Sequence, residues 1–199
     1  MLAIIDYGAG NLFSVQNALN YLGIPSEITR DAGEICRADG LILPGVGAFP
    51  DAMKMLEETG LTGIIRSEAR RKPFLGICLG MQMLFEESTE FHLTSGLGLL
   101  PGRVEWIRSP YKIPHMGWNS LKFAQKSPLL EGIEEGASVY FVHSFQAYPE
   151  EAALSAYCEY GTKIPALVEE GTVFGAQFHP EKSGEVGLTI LRNFGRLAR

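Results

Sequence analysis

The stretch Gly76-Ile77-Cys78-Leu79-Gly80 places one cysteine between two glycines, at the end of an apolar run that begins at Pro73. The run is typical of a buried strand, and residues 81–87 predict a helix directly after it. A cysteine on so tight a strand-to-helix turn forms a nucleophile elbow, where the helix N-terminus favours a thiolate over a thiol. A buried cysteine between turn glycines explains the pentapeptide equally well, so the interpretation depends on the rest of the chain.

On both sides of this turn, short apolar runs alternate with helical patterns. Continuous apolar runs of this length are typical of parallel strands buried on both faces. Such strands are predicted at residues 2–5, 24–29, 40–43 and 173–178. Helices are predicted to begin after Asn11, at Pro50, after Gly60 and at about Gly184. The order predicts an α/β protein with an open, mostly parallel sheet and helices on both faces.

Between residues 103 and 173 the pattern changes to short β-like runs separated by Gly and Pro. It predicts antiparallel hairpins attached to the same domain, so residues 1–199 are interpreted as a single domain. The runs are residues 104–107, 120–123, 139–145, 153–157 and 166–169. Residues 111–119 are interpreted as an irregular segment, either a turn with Trp118 packed inside or a partner surface.

Composition and charge argue against several classes of function. The net charge of −6 and the lack of a basic run argue against nucleic-acid binding. No stretch reaches the roughly 18 apolar residues of a membrane span. Cys36, Cys78 and Cys158 form no C-x-x-C pair, so neither disulfides nor zinc are expected, and the cytoplasm is the expected compartment. A dinucleotide fingerprint fails at Phe13 and no P-loop is present, so no cofactor is predicted.

His179 is the best candidate for a base that would activate Cys78. Of the four histidines, only His179 ends a predicted core strand and has a carboxylate, Glu181, two residues on. Pro180 fixes the backbone between them, so Glu181 can orient the imidazole. Nucleophile, base and orienting group are then all present. The alternative of a zinc site built from the histidines and Cys78 matches no metal-ligand spacing.

Taken together, Gly76-Ile77-Cys78-Leu79-Gly80-Met81-Gln82 and Phe178-His179-Pro180-Glu181 resemble the catalytic signature of the class I glutamine amidotransferases. Further blocks follow the family's order over nearly the whole chain. They are Asp6-Tyr7-Gly8-Ala9-Gly10-Asn11-Leu12, Pro44-Gly45-Val46-Gly47, Pro114-His115-Met116-Gly117-Trp118-Asn119, Tyr140-Phe141-Val142-His143-Ser144 and His179-Pro180-Glu181-Lys182-Ser183. The resemblance implies a flavodoxin-like three-layer fold with an antiparallel hairpin extension.

The same resemblance implies a chemistry for the site. Cys78 would attack the side-chain amide of L-glutamine to form a thioester, and His179 would protonate the departing ammonia. The oxyanion would be bound by backbone N–H groups. Of the four residues that would hold the glutamine, His143 and Ser144 would do so mostly through their backbone. The implied oxyanion residues are Gly45, Val46 and Leu79, and the implied glutamine-binding residues are Gly47, Gln82, His143 and Ser144.

Ammonia is mostly protonated at neutral pH, so a glutaminase of this size needs a partner that consumes it. The resemblance implies that the partner is a (β/α)8-barrel cyclase in a heterodimer. The expected interface residues are Asn11, His115, Met116, Trp118 and Lys182. Val46 stands where many family members have a second glycine, so we expect the oxyanion hole to form only when the partner is loaded.

Three alternatives remain open at the level of sequence. The first is a class I glutaminase serving another pathway, such as vitamin B6, anthranilate or folate-precursor synthesis, against which the block at residues 115–119 and Val46 argue. The second is a cysteine hydrolase that acts alone on γ-glutamyl substrates. The third is a non-catalytic binding subunit, against which the intact Cys78, His179 and Glu181 argue.

Overall fold

An eight-stranded mixed sheet lies at the centre of the computed structural model, which describes residues 1–198. The strands are β1 (Leu2–Ile5), β2 (Ser26–Thr29), β3 (Gly40–Gly45), β4 (Phe74–Cys78), β5 (Glu87–Ser88), β6 (Thr94–Ser95), β7 (Gly102–Trp106), β8 (His115–Ser120), β9 (Lys122–Phe123), β10 (Ser138–His143), β11 (Phe145–Pro149), β12 (Leu154–Glu159), β13 (Lys163–Glu170) and β14 (Val173–Ala176). The helices are α1 (Leu12–Tyr21), α2 (Ala32–Arg37), α3 (Phe49–Glu58), α4 (Thr62–Ala69), α5 (Leu79–Gln82) and α6 (Gly184–Leu197). None of these helices is long and apolar enough to cross a membrane.

The strand order of the central sheet is β2-β1-β3-β4-β14-β13-β12-β9. The first five strands pair in parallel, and the last three pair antiparallel on the same sheet. Every residue of β1, β3, β4 and β14 is buried, as the continuous apolar runs predict. The α/β class and the mostly parallel sheet are therefore confirmed.

Helices cover both faces of this sheet and give it three layers. Because side chains alternate along a strand, Ile4 lies in the apolar core under α1 and α6, whereas Ile5 lies in the core under α2, α3 and α4. Two small sheets complete the structure: β8 pairs with β10, and the order β11-β7-β5-β6 forms the other. The chain passes from one small sheet to the other at Ser144.

The predicted run at residues 139–145 is divided at Ser144 into β10 and β11, and two other predicted segments also differ in the structure. The helix predicted at residues 81–87 is only the single turn α5, because the Glu86 N–H donates to the Gly102 carbonyl at 3.1 Å and β5 then pairs with β7. The segment predicted as irregular at residues 111–119 contains most of β8, which pairs with β10 over its whole length. In both places, hydrogen bonds to a strand distant in sequence decide the local structure.

Candidate active site

Cys78 ends β4 and immediately precedes α5, with φ +55° and ψ −112°. The two glycines around it are required by space. A β-carbon on Gly76 would lie 2.5 Å from the Gly80 carbonyl oxygen, and one on Gly80 would lie 1.8 Å from the Leu43 carbonyl oxygen. The predicted tight strand-to-helix turn is therefore present, and it presses the elbow against the end of β3.

A cavity of 280 Å³ opens at this elbow. It joins the loop after β3, the start of α5, the junction of β10 with β11, and the turn after β14. Its lining residues are Val46, Gly47, Cys78, Leu79, Gln82, Glu90, Val142, Ser144, Phe145 and His179. The volume is below the ~300–1,000 Å³ of drug-sized sites, so the cavity suits a small metabolite.

His179 and Glu181 form a buried pair beside Cys78. His179 Nδ1 lies 2.9 Å from Glu181 Oε1, and both side chains are at most 4% exposed. Burial disfavours the charged imidazole, but the interactions of His179 with Cys78 and Glu181 outweigh burial and raise the pKa of His179 to about 9. At neutral pH the imidazole therefore carries a proton that it can give to a leaving group.

Strand β10 holds the turn that carries His179. The His179 N–H donates to the Tyr140 carbonyl at 3.0 Å, and the Tyr140 N–H donates to Ser183 Oγ at 3.0 Å. Ser183 Oγ in turn donates to the His179 carbonyl at 2.6 Å. The Val142 carbonyl of the same strand lies 4.0 Å from Cys78 Sγ. One strand therefore sets the distance between the elbow and the histidine turn.

The oxyanion-hole candidates lie together at the cavity. Gly45 packs directly on the elbow, because a β-carbon there would lie 2.6 Å from the Gly80 amide nitrogen. Val46 and Leu79 both line the cavity, and Val46 is 47% exposed. Leu79 begins α5, so its N–H is one of the helix N-terminal donors that lack an intrahelical acceptor.

The glutamine-binding candidates divide into two groups. Gly47, Gln82 and Ser144 line the cavity. His143 does not, since its ring points away and contacts the Phe145 carbonyl and His115 at 2.8 and 2.9 Å. His143 could therefore contact a ligand only through its backbone atoms. The resemblance implies a contact of this kind for His143.

The interface candidates are placed differently from one another. Met116 and Trp118 are 64% and 60% exposed, and Lys182 is exposed. The prediction of a direct partner contact for His115 needs correction, because its ring is packed inside the protein and only 2% of the residue is exposed. Asn11 does not cap α1 with its side chain, since Asn11 Nδ2 donates to Glu181 Oε1 at 3.4 Å.

Sequence reasoning missed three side chains at or beside the cavity that contains Cys78. Glu90 lines the cavity and accepts the Phe49 N–H at 2.8 Å, and burial raises its pKa. Gln177 Nε2 lies 3.9 Å from Cys78 Sγ, and Phe145 forms part of the wall. Gln177 sits in a run already assigned to a strand, whereas Glu90 lies in a stretch without helical or strand periodicity, so no pattern marked either one. Among residues 1–198, no cluster of three or more His, Cys, Asp or Glu is arranged to hold a metal ion.

Comparisons with known proteins agree on one family. The profile of "Glutamine amidotransferase class-I" matches residues 3–197. The chain is similar to the imidazole glycerol phosphate synthase subunit HisH of Bacillus thuringiensis (strain Al Hakam), with 53% identity over 98% of this chain and 93% of that protein. The HisH subunit of Bacillus anthracis is 52% identical over the same shares of the two chains.

Solved structures show the same fold at lower identity. A structure described as a glutamine amidotransferase superposes with a TM-score of 0.77 at 23% identity, covering 98% of each chain. A structure of PurLQS from Thermotoga maritima gives 0.76 at 22% identity, covering 97% of this chain and 96% of that one.

Proposed function

This chain belongs to the class I glutamine amidotransferases, and from that premise we propose that it is the glutaminase subunit of an imidazole glycerol phosphate synthase. It hydrolyses L-glutamine to glutamate and ammonia. A (β/α)8-barrel cyclase subunit uses the ammonia to make imidazole glycerol phosphate and aminoimidazole carboxamide ribotide in histidine biosynthesis. The observation that carries the proposal is that Cys78 and His179 line one small cavity in a chain related to HisH along 98% of its length.

In the first half-reaction, the Cys78 thiolate attacks the side-chain amide carbon of glutamine, and the carbonyl electrons move to oxygen. The C–N bond then breaks as His179 transfers its proton to the nitrogen, so ammonia leaves and a thioester remains. A pKa of about 9 keeps this proton on His179 at neutral pH. Water, deprotonated by His179, attacks the thioester and releases glutamate and the cysteine sulfur.

The negative oxygen formed in each half-reaction needs donors that are already in place. We assign this role to the backbone of Leu79 and of Gly45-Val46, because Gly45 packs against Leu79 and both Val46 and Leu79 line the cavity. Backbone donors in a closed site stabilise such an oxyanion more than the flat substrate amide, and therefore lower the barrier.

Glutamine also carries a charged ammonium and carboxylate that the cavity must recognise. Glu90 is the carboxylate of the cavity lining, so we assign to it the substrate ammonium. Gln82 donates to the Phe145 carbonyl at 2.9 Å and to Gln177 Oε1 at 3.0 Å, which holds its amide rigidly in the wall. Gly47 and the backbone of His143 and Ser144 complete the set.

The partner is expected on the surface next to the triad. Met116 and Trp118 are exposed on β8, and its partner strand β10 contacts the turn Pro180–Lys182 that follows His179. A cyclase seated there needs to carry ammonia only a short distance. We also propose a cytoplasmic location, because Cys36, Cys78 and Cys158 are all free thiols and the reaction requires one of them reduced.

The test uses the complex with the cyclase subunit and the variant Cys78→Ser. We expect glutamine-dependent product formation to be lost and ammonium-driven formation to be retained, with the wild-type complex active on both. Loss of both activities would contradict this division of labour. Wild-type glutamine hydrolysis should also rise when the cyclase and its ribonucleotide are added; an unchanged rate would instead identify a hydrolase that acts alone.

A further inference from the structure

His115 and His143 form a buried imidazole pair outside the triad. They face each other across the β8–β10 pairing, with His115 Nδ1 2.9 Å from His143 Nε2. The His115 ring lies between two aromatic rings, with centroids 4.7 Å from Phe141 and 4.2 Å from Tyr160. The residues are 2% and 7% exposed, so each polar atom of the pair needs a partner inside the protein.

The neighbours of the pair fix which nitrogen carries each proton. At one end, His143 Nδ1 lies 2.8 Å from the Phe145 carbonyl oxygen, which only accepts, so Nδ1 must donate. At the other end, Asn119 Oδ1 accepts the Ser120 N–H and Asn119 Nδ2 donates to the Glu159 carbonyl, which settles the orientation of that amide. Asn119 Nδ2 therefore donates its remaining hydrogen to His115 Nε2, 3.2 Å away.

Both ends lead to the same arrangement. His115 Nε2 accepts, so its proton is on Nδ1 and is donated to His143 Nε2; His143 then has its own proton on Nδ1 and donates it to Phe145. These hydrogen bonds form one row, from Asn119 through His115 and His143 to the Phe145 carbonyl, and every bond in the row requires neutral rings. Burial lowers the pKa of His143 to about 3 and that of His115 to about 4, which agrees with this requirement.

The row ends at the Phe145 carbonyl oxygen, which also holds a side chain of the cavity wall. The Phe145 carbonyl also accepts from Gln82 Nε2 at 2.9 Å, and Gln82 lines the cavity. With its amide nitrogen donating to Phe145 and Gln177, the Gln82 side chain presents Oε1 as its free acceptor among residues 1–198. Displacing the Phe145 carbonyl would therefore move the acceptor that a substrate amide meets.

We propose that His115 is a positioning residue for glutamine binding: it fixes the tautomer of His143, which holds the Phe145 carbonyl and through it Gln82. This inference rests on the proposed function only in that the ligand of the cavity is glutamine. His115 itself is not among the residues that line the cavity. It begins β8, the strand that exposes Met116 and Trp118, so the cavity wall and the proposed partner surface share this hydrogen-bonded row.

The tautomers are tested directly by long-range ¹H–¹⁵N correlation spectra of the ¹⁵N-labelled full chain, at pH 6 to 8. We expect both His115 and His143 to be neutral and protonated on Nδ1. The variant His115→Phe keeps a ring in the aromatic stack but removes the donor, so the His143 signals should change. A wild-type Nε2-protonated or charged form of either ring would overturn the proposal, whatever the enzyme does with glutamine.

Kinetics on the complex with the cyclase subunit separate positioning from packing. His115→Asn keeps an N–H near the Nδ1 position but loses the ring, whereas His115→Phe keeps the ring and loses the N–H. We expect His115→Phe to raise the KM for glutamine about tenfold, with little change in kcat, and His115→Asn to raise it less. A purely structural role predicts the reverse order, and that order would overturn the proposal.

At His143 the matched pair is His143→Asn, which keeps the donor to Phe145, and His143→Gln, which loses it. We expect the higher KM for glutamine in His143→Gln, and equal KM values in the two variants would overturn the proposal. Ammonium-driven turnover of each complex, together with its melting temperature, controls for assembly and folding. A wild-type complex inactive on glutamine would contradict the proposed function and leave the tautomer result standing as a separate test.

Discussion

Gly80→Ala adds a single methyl group at the most crowded position of the elbow. The new β-carbon would lie 1.8 Å from the Leu43 carbonyl oxygen, whereas real β-carbons essentially never approach a heavy atom closer than 3.0 Å. The two backbone segments must therefore separate by at least 1.2 Å, the difference between these two distances. Neither can yield cheaply, because Leu43 belongs to β3 in the middle of the sheet and Gly80 belongs to α5.

The expected loss of stability follows from two opposing contributions. Overpacking of a buried site costs about 1–3 kcal/mol and sometimes more, and a backbone displacement lies at the upper end of that range. Alanine in a helix returns about 1 kcal/mol relative to glycine. We therefore expect a net loss of about 2 kcal/mol, which for a chain of this size lowers the melting temperature by about 4–8 °C.

The matched control is Gly63→Ala in α4. It is also a helical glycine, but a β-carbon there has nothing within 4 Å, so alanine should stabilise by about 0.5–1 kcal/mol. Thermal and urea unfolding of both variants measures the difference. Glutamine hydrolysis by the complex should fall ~100-fold in Gly80→Ala, since β3 leads into the loop to which we assign an oxyanion donor and an error of 1 Å in a catalytic group has that effect. Equal melting temperatures for the two variants would refute the reasoning.

Three further changes test individual groups of the site. Glu181→Gln should lower the pKa of His179 from about 9 towards its ordinary value of 6.5. The raised pKa of His179 stabilises the fold fully below pH 6.5, and this effect is lost as the pH rises through about 9. The stability deficit of the variant in urea should therefore be larger at about pH 6 than at about pH 9, and a deficit that grows over this range would contradict the pairing. Glu90→Gln should raise the KM for glutamine about tenfold with kcat nearly unchanged, because it removes a charged acceptor for the ammonium, and an unaltered KM would place that ammonium elsewhere. Val46→Gly should increase glutamine hydrolysis by the subunit without its partner, since a β-branched residue resists unusual backbone angles by ~1–3 kcal/mol; a rate no higher than wild type would show that Val46 does not restrain the oxyanion hole.

The parallel core could be predicted because its signal is local. Ala3-Ile4-Ile5 and Leu41-Ile42-Leu43 are apolar without interruption, and only a strand covered on both faces buries every side chain of so short a run. Cys78, His179 and Glu181 could also be proposed from the sequence, since Cys78 ends β4 and the other two lie in the turn after β14. Here the residue pattern and the chemistry point to the same edge of the sheet.

The segments that could not be predicted depend on distant partners. Strand β8 contains Gly117 and Asn119, residue types that are common in turns, so its local sequence favours an irregular segment, and it becomes a strand through pairing with β10. The extension of α5 fails because Glu86 finds an acceptor at Gly102. Glu90 reaches the cavity only because the chain folds back beside α3, where the Phe49 N–H holds its carboxylate. Local sequence carries none of this information.

The backbone of Cys78 has a cost that bears on how the protein would evolve under selection. At φ +55° and ψ −112° an L-residue is strained by ~1–3 kcal/mol, and glycine at this position would relieve the strain. Cys78, the residue that we propose to form the thioester, is therefore one whose replacement by glycine should raise the melting temperature of the protein. Where glutamine hydrolysis is dispensable, mutation of Cys78 to glycine would therefore be favoured by its effect on stability, so the strained backbone at this position persists only while the proposed activity is selected.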